Sequence, residues 1–537
     1  MLTHGALARQ ADKPKSTAAI GLAVAAIRGG NVGKARMMLH DRLAQDPDDA
    51  NALALLAEIA IDEGLFDQAI VFRRRAATAD PSPQFQISLV RHMHQHGSPG
   101  MVLKEIENLA PALRSEPAIM SIEAVASGAV GDHDRQIALY EQLARRSPQN
   151  PSVWKSLGNA LKTVGRYEAA VSAIRRSIKV QPTYGDAYWS LANFKSFKFS
   201  ERDINVMKRT LTKKLSPEDA LHLHFALGKA YEDSQQFEAS FDHYAAGNAI
   251  RAASVNEEHG WVSHYVDRSI ETLSGDLLAR NRASGCRETG PIFVLGMHRS
   301  GSTLVEQILA SHSLVEGTTE LAVMNQIRDR IRNSSKSRGS DYWQALTELN
   351  ESDFEKIGKE YLDRTRPYRR TDRPYFIDKM PSNWLNLALI RLSLPNAIII
   401  DARRHPMACG FSNFKQNYAS GATYTYTLPA MGRFYHDYWR FMRHFDSVEP
   451  GAAHRVINER LIESPEPIIR GLLDHCGLPF EPACLEFHKN TRAVRTPSAE
   501  QVRRPINSDG VDAWRHYEQW LDPLKDALGQ TLHDWED

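Results

Sequence analysis

The stretch PIFVLGMHRSGSTLVEQILASH, residues 291–312, decides the fold. Its first six residues are an apolar, partly β-branched run, as suits a strand buried on both faces in a parallel sheet. Its last ten, TLVEQILASH, read as an amphipathic helix. Between them lies GMHRSGST, residues 296–303: glycine, four residues, glycine, then two more ending on a hydroxyl. That is the frame of a phosphate-binding loop. Successive backbone N–H groups and a helix N-terminus converge there on one spot and stabilise anionic oxygens. Glycine at 296 and 301 permits the tight path. A bare glycine turn would share the spacing, but a strand before and a helix after favour the anion site.

Outward from this stretch, a second apolar run, NAIIID at 396–401, precedes ARRHP and a renewed helical pattern. Strands alternating with helices predict a P-loop-like α/β domain with a central parallel sheet over 290–537. Residues 253–289 read as a connecting helix and a polar loop, RNRASGCRETG.

From 16 to 252 helical patterns dominate, after a flexible N-terminus over 1–15. Prolines recur near helix ends at Pro47, Pro81, Pro117, Pro148, Pro182 and Pro217, and two of the gaps are 34 residues, the tetratricopeptide period. The best copy places Trp154, Leu157, Gly158 and Leu161 on one helix face and Ala170 and Ile174 on the facing stripe, with Pro182 closing the unit. Gly158 and Ala170 are small where two helices must approach. A second copy starts at Leu53; a third, degenerate one carries Leu227, Gly228 and Tyr231; the segment 83–116 is the weakest. The predicted architecture is therefore α + α/β, an all-α tetratricopeptide solenoid followed by the sheet domain. Such arrays bind a protein or peptide partner, pair with another copy to form a homodimer, or act as a scaffold.

Lys and Arg (66) nearly balance Asp and Glu (65), so no global charge draws the chain to nucleic acid or an anionic membrane. The four cysteines form no close pair, which argues against a disulfide framework or a zinc site and for a reducing, cytoplasmic setting. The first residues hold no apolar signal core, and no run is long enough to span a bilayer.

The loop lacks one familiar group. Where nucleotide triphosphatases carry lysine, this chain has Ser302, and its basic residue, Arg299, sits inside the loop. That weakens a kinase-like reading with ATP and magnesium.

At this point the chain resembles the sulfotransferases, including the tyrosylprotein sulfotransferases, over roughly 290–520. The resemblance implies 3′-phosphoadenosine-5′-phosphosulfate (PAPS) as sulfuryl donor. It implies that Arg299, Ser300, Gly301, Ser302 and Thr303 bind the 5′-phosphate and sulfuryl oxygens. Glu320, closing EGTTE, matches the catalytic base, and Lys379, in FIDKMPSN, matches a lysine on the transferring group. Arg404 and Ser412, in ARRHPMACGFS, match the 3′-phosphate ligands, with Arg403 as an alternative to Arg404. TPSAEQVRRP resembles a late cofactor loop with Ser498, Gln501 and Arg503, followed by Trp514 and Arg515. Asn458 stands where the family often has tyrosine. No metal is required by this chemistry, and the acceptor is a hydroxyl on a peptide, including protein tyrosine, a glycan or a small molecule.

Each residue also has a plainer role open to it. Glu320 could be a solvated acid at a helix start, and Lys379 could simply pair with Asp378 or another surface acid. His298 or His405 could serve as base in place of Glu320, and His312 reads as packed or capping. Arg364, Arg366, Arg369 and Arg370 read as a solvated basic face. A tetratricopeptide adaptor with an inactive sheet domain is the non-enzymatic alternative.

Overall fold

Small residues set the helix spacing in the first half of the chain. The computed structural model describes residues 14–537 apart from 64, 195, 255–259, 281–283, 338, 419–420, 493 and 495–499. The described residues divide into two compact units, 1–148 and 149–537. In the first unit, helices α1 (Ala50–Asp62) and α2 (Phe66–Ala79) pack through Ala57, Ala60 and Ala69 around Phe72. Asp49 caps α1 by accepting from the N–H groups of Asn51 and Ala52, both at 3.1 Å. The weak segment 83–116 forms helices Pro83–His96 and Pro99–Glu107 and a one-turn helix, Pro111–Arg114. A proline opens each of the three, where its missing N–H costs nothing.

The second unit begins with α3 (Pro151–Thr163) and α4 (Tyr167–Val180). A Cβ on Gly158 would lie 2.4 Å from Ile174 Cγ1 and 3.0 Å from the Ala170 carbonyl oxygen. The close approach read from the sequence is therefore real. Helices α5 (Gly185–Ala192), α6 (Pro217–Asp233) and α7 (Phe237–Ala253) follow.

Five strands then build one parallel sheet: β1 (Pro291–Gly296), β2 (Val315–Gly317), β3 (Tyr375–Lys379), β4 (Ile398–Arg403) and β5 (Ala453–Ile457), in the order β2-β3-β1-β4-β5. All six residues of β1 are buried, as its composition required. Helices α8 (Ser302–Leu309), α9 (Pro406–Phe414) and α10 (Leu428–Val448) complete the parts needed below. The chain leaves β1 towards β2 and returns from β3 to β4 on the other side of β1. The carboxyl ends of β1 and β4 thus flank a switch point, where open α/β sheets hold ligands.

The division expected between a solenoid ending at 252 and a domain starting at 290 is not where the compact units part. Helices α5 to α7 pack with the sheet domain. Phe241 of α7 stacks on Phe414 and Trp520, with ring centroids 5.9 and 5.4 Å apart. Asn248, fully buried, donates to the Phe414 carbonyl at 2.8 Å, and Ser240 meets the Tyr517 hydroxyl at 3.0 Å. Buried polar groups that satisfy one another in this way bind the two parts into one body. Among the described residues no helix is long and apolar enough to cross a membrane. The four cysteines are buried and free.

Candidate active site

The loop after β1 takes a path that only particular residues allow. Gly296 has φ 136°, and a Cβ there would stand 2.2 Å from the Ala402 carbonyl oxygen of β4. Arg299 has φ 65°, left-handed for a residue with a side chain, at a cost of about 1–2 kcal/mol. Its neighbours hold it there: Arg299 Nε donates to Ser412 Oγ at 3.1 Å, and Arg404 Nη1 donates to the Arg299 carbonyl at 3.1 Å. Asn413 Nδ2 donates to the preceding carbonyl, that of His298, at 2.7 Å. Backbone strain of this kind, fixed by surrounding groups, is a mark of a functional loop. Gly301 then opens α8, whose first turn presents Ser302 and Thr303.

These residues face a cavity of about 480 Å³ within the second unit, in the ordinary range for small-molecule sites. Arg299, Gly301, Ser302 and Thr303 line one part of it. Arg404, Ser412, Gln501 and Trp514 also line it, as do Glu320 and Lys379. Ser300, expected with them, is buried and does not line the cavity; its hydroxyl has no hydrogen-bond partner among the described residues.

Arg503 and Arg515, both expected there, do not line the cavity. Arg503 donates to the Arg492 carbonyl at 3.2 Å and does not line the cavity; Arg504 does. Arg515 donates to Asp512 at 2.8 Å and lies against the Trp514 ring on an exposed turn, without lining the cavity. In both cases a nearer acceptor claims the guanidinium. Ser498 lies outside the described residues.

The two adjacent arginines part company. Arg403 is buried and turned away: it donates to Asp401 at 2.8 Å and to the carbonyls of Trp535 and Asp537 at 2.8 and 2.6 Å. Arg404 lines the cavity, with Nε lacking a hydrogen-bond partner among the described residues. Burial lowers its pKa from the usual guanidinium value, and the Arg299 charge adds to that lowering. Glu459, 4.0 Å away, offsets part of this. Two arginines on the wall of one cavity favour an anionic ligand in it.

Glu320 and Lys379 form an ion pair at the cavity. Lys379 is 1% exposed and the Glu320 side chain 43%, so the carboxylate is the partner open to a solute. The pairing of Lys379 is with Glu320; Asp378 instead accepts from the Tyr361 hydroxyl at 2.8 Å, and burial pushes Asp378 up to about 7. His298 lines the cavity, with Nδ1 2.6 Å from the Tyr424 hydroxyl. Burial pulls His298 down to about 4; Glu320 acts the other way, and Lys379 and Arg299 add to the lowering. It is therefore neutral near pH 7 and a weak proton acceptor. His405 stacks on Trp514 and does not line the cavity. His312 is buried, with Nε2 2.9 Å from the Pro479 carbonyl. In the basic face, Arg364 pairs with Glu360 and Arg369 with Glu316.

Sequence reasoning missed the wall that the repeat helices supply. Trp189 of α5, Asn193 just beyond it, and Lys229 and Glu232 of α6 all line the cavity. So does Lys415, one helical turn past Ser412, which donates to Glu232 at 2.5 Å. The i, i+3 spacing of Ser412 and Lys415 was a usable signal. The charges of α6 were not, because repeat helices carry such residues on any solvent face.

Residues 291–482 match the profile of the sulfotransferase family, and residues 151–184 match the tetratricopeptide repeat. All five strands of the sheet lie within the stretch that matches the sulfotransferase family. An uncharacterised protein of Aquifex aeolicus (strain VF5) is 30% identical over 408 residues, which cover 74% of this chain and 53% of that protein. The chain thus spans about half the length of that relative. The sulfotransferase domain from the curacin biosynthetic pathway is 20% identical, with a TM-score of 0.35, over 47% of this chain and 98% of that one. The sulfotransferase domain from the Synechococcus PCC 7002 olefin synthase is 21% identical, with a TM-score of 0.32, over 43% of this chain and 88% of that one. The tetratricopeptide match falls on α3 and α4, the pair that crosses closely at Gly158.

Proposed function

We propose that this chain is a sulfotransferase that moves a sulfuryl group from PAPS to an acceptor hydroxyl, with Glu320 as general base. The observation that carries the proposal is the meeting of Arg299, Arg404 and Ser412 in one cavity that also holds the Glu320–Lys379 pair. The residues present fit the donor. The α8 N-terminus, with Ser302 and Thr303 on the cavity wall, suits the 5′ end, and Arg404 on the same wall suits a 3′-phosphate. Bound PAPS would supply an activated sulfuryl group on a phosphate leaving group.

The chain's own residues would do the rest. Glu320 takes the proton from the acceptor hydroxyl at its half-exposed carboxylate. Lys379, buried beside it, fixes that carboxylate and puts a positive charge where negative charge develops. Arg299, locked by its backbone and by Ser412, adds a second charge without having to reorganise. His298 stays a hydrogen-bonding wall beside that carboxylate, with Nδ1 engaged at the Tyr424 hydroxyl. A protein tyrosine is one acceptor consistent with this reading.

The test is a calorimetric titration of the desulfated product, adenosine 3′,5′-bisphosphate, against ATP with magnesium. The bisphosphate is expected to bind roughly 100-fold more tightly. Preference for ATP with magnesium would replace this reading with the kinase-like one.

A further inference from the structure

The segment that follows Glu500 puts Gln501 and Arg504 on the cavity wall, yet its short 3-10 turn, Gln501–Arg503, has little internal structure to hold it there. Two tethers run from it. One goes to α8: Arg503 donates to the Arg492 carbonyl at 3.2 Å, while Arg492 pairs with Glu306 at 2.8 Å and donates to Gln307 at 2.8 Å. The other goes to the repeats. Glu500, 7% exposed, accepts from the Ser196 N–H at 3.0 Å and the Ser196 hydroxyl at 3.2 Å. Lys162 of α3 stands 4.0 Å from its other oxygen. Lys162 itself donates to the Asn193 carbonyl at 2.6 Å and lies 4.5 Å from the centre of the Phe194 ring. Asn193 is also on the cavity wall. A buried carboxylate with these partners is expensive to misplace.

We infer that Glu500 is a positioning residue through which helix α3 and Ser196, beyond the end of α5, hold Gln501 and Arg504 against the site for a nucleoside 3′,5′-bisphosphate. This rests on the donor reading above. The repeats are then part of the donor site's architecture, independent of any peptide they carry. Glu500 touches no reacting atom; it sets where its neighbours stand.

The experiment titrates adenosine 3′,5′-bisphosphate into the full-length wild type, Glu500→Ala and Glu500→Gln by calorimetry, with hydrogen exchange followed across 500–504. Glu500→Ala is expected to weaken binding roughly 10-fold with unchanged stoichiometry and to speed exchange in that segment. Glu500→Gln keeps an oxygen for Ser196 and is expected to stay within about 3-fold of wild type. A variant that only misfolds would lower the number of sites titrated and leave the Kd of the remainder alone. An unchanged Kd in Glu500→Ala, whatever its stoichiometry, overturns the inference. Wild type that refuses the bisphosphate while exchange still quickens in Glu500→Ala would sink the donor reading and leave the anchor standing.

Discussion

The helix pair α1–α2 and the helices α3 to α7 follow the same repeat pattern, yet they hold different company. In α1–α2 the buried residues serve the pair and its neighbours: Leu53, Ala57, Ala60 and Ala69 close an apolar seam. In α6 and α7 the same kind of seam, with Gly228 against the Tyr244 ring, is joined by polar groups that look outward. Tyr244 donates to Glu232 at 2.9 Å, Glu232 accepts from Lys415 at 2.5 Å, and Asn248 reaches the Phe414 carbonyl. The repeat period fixes how two helices cross. It leaves open whether their remaining faces meet water or a catalytic domain.

This contrast can be broken by substitution. Leu53→Ala in α1 is expected to cost about 2–5 kcal/mol of stability and to leave the Kd for adenosine 3′,5′-bisphosphate unchanged; chemical unfolding and calorimetry read the two. A large change in Kd would mean the first unit is not separable from the site. Glu320→Gln is expected to lower turnover roughly 100-fold or more, about 2.7 kcal/mol, with bisphosphate binding near normal. Wild-type turnover would remove Glu320 from its role. Asn248→Ala, in α7, is expected to cost about 1–3 kcal/mol by stranding the Phe414 carbonyl, and to weaken bisphosphate binding as well, because Phe414 ends the helix that carries Ser412. An effect on stability alone would make α7 a mere prop.

A further effect concerns pH. Asp378 is raised to about 7 by burial, above its ordinary 3.8. Between those values the folded chain keeps a proton that the unfolded chain has lost. The linked stability is therefore full below about pH 4 and is lost as pH rises through 7. Asp378→Asn removes that slope, so its unfolding midpoint relative to wild type should rise from pH 4 to pH 7. A difference that is flat with pH would place the titration elsewhere.

The parts legible in the sequence were those encoded by contiguous residues. PIFVLG had to be a central strand because nothing in it tolerates water, and GMHRSGST had to be a loop because its glycines permit positive φ. NAIIID was readable for the same reason as PIFVLG. Strands β2 and β5 were not: VEG is three residues long, and AHRVI is only partly buried, so neither carries a clear period. The choice between Arg403 and Arg404 needed three dimensions, since it turns on Asp401 and on carbonyls more than 130 residues away. Arg503 and Arg515 were expected at the cofactor and Arg504 was not, and only the position of competing acceptors separates them. The repeat-side wall was illegible because its residues are ordinary for a helix and acquire meaning only from what packs against them.

The most direct measurement is the affinity of wild type and Arg404→Ala for adenosine 3′,5′-bisphosphate and for adenosine 5′-monophosphate, which lacks the 3′ group. The substitution should weaken the bisphosphate roughly 100-fold and the monophosphate by less than about 3-fold. Equal weakening of both nucleotides, or no weakening of either, would contradict a second anion site at the end of β4 and with it the assignment of the donor.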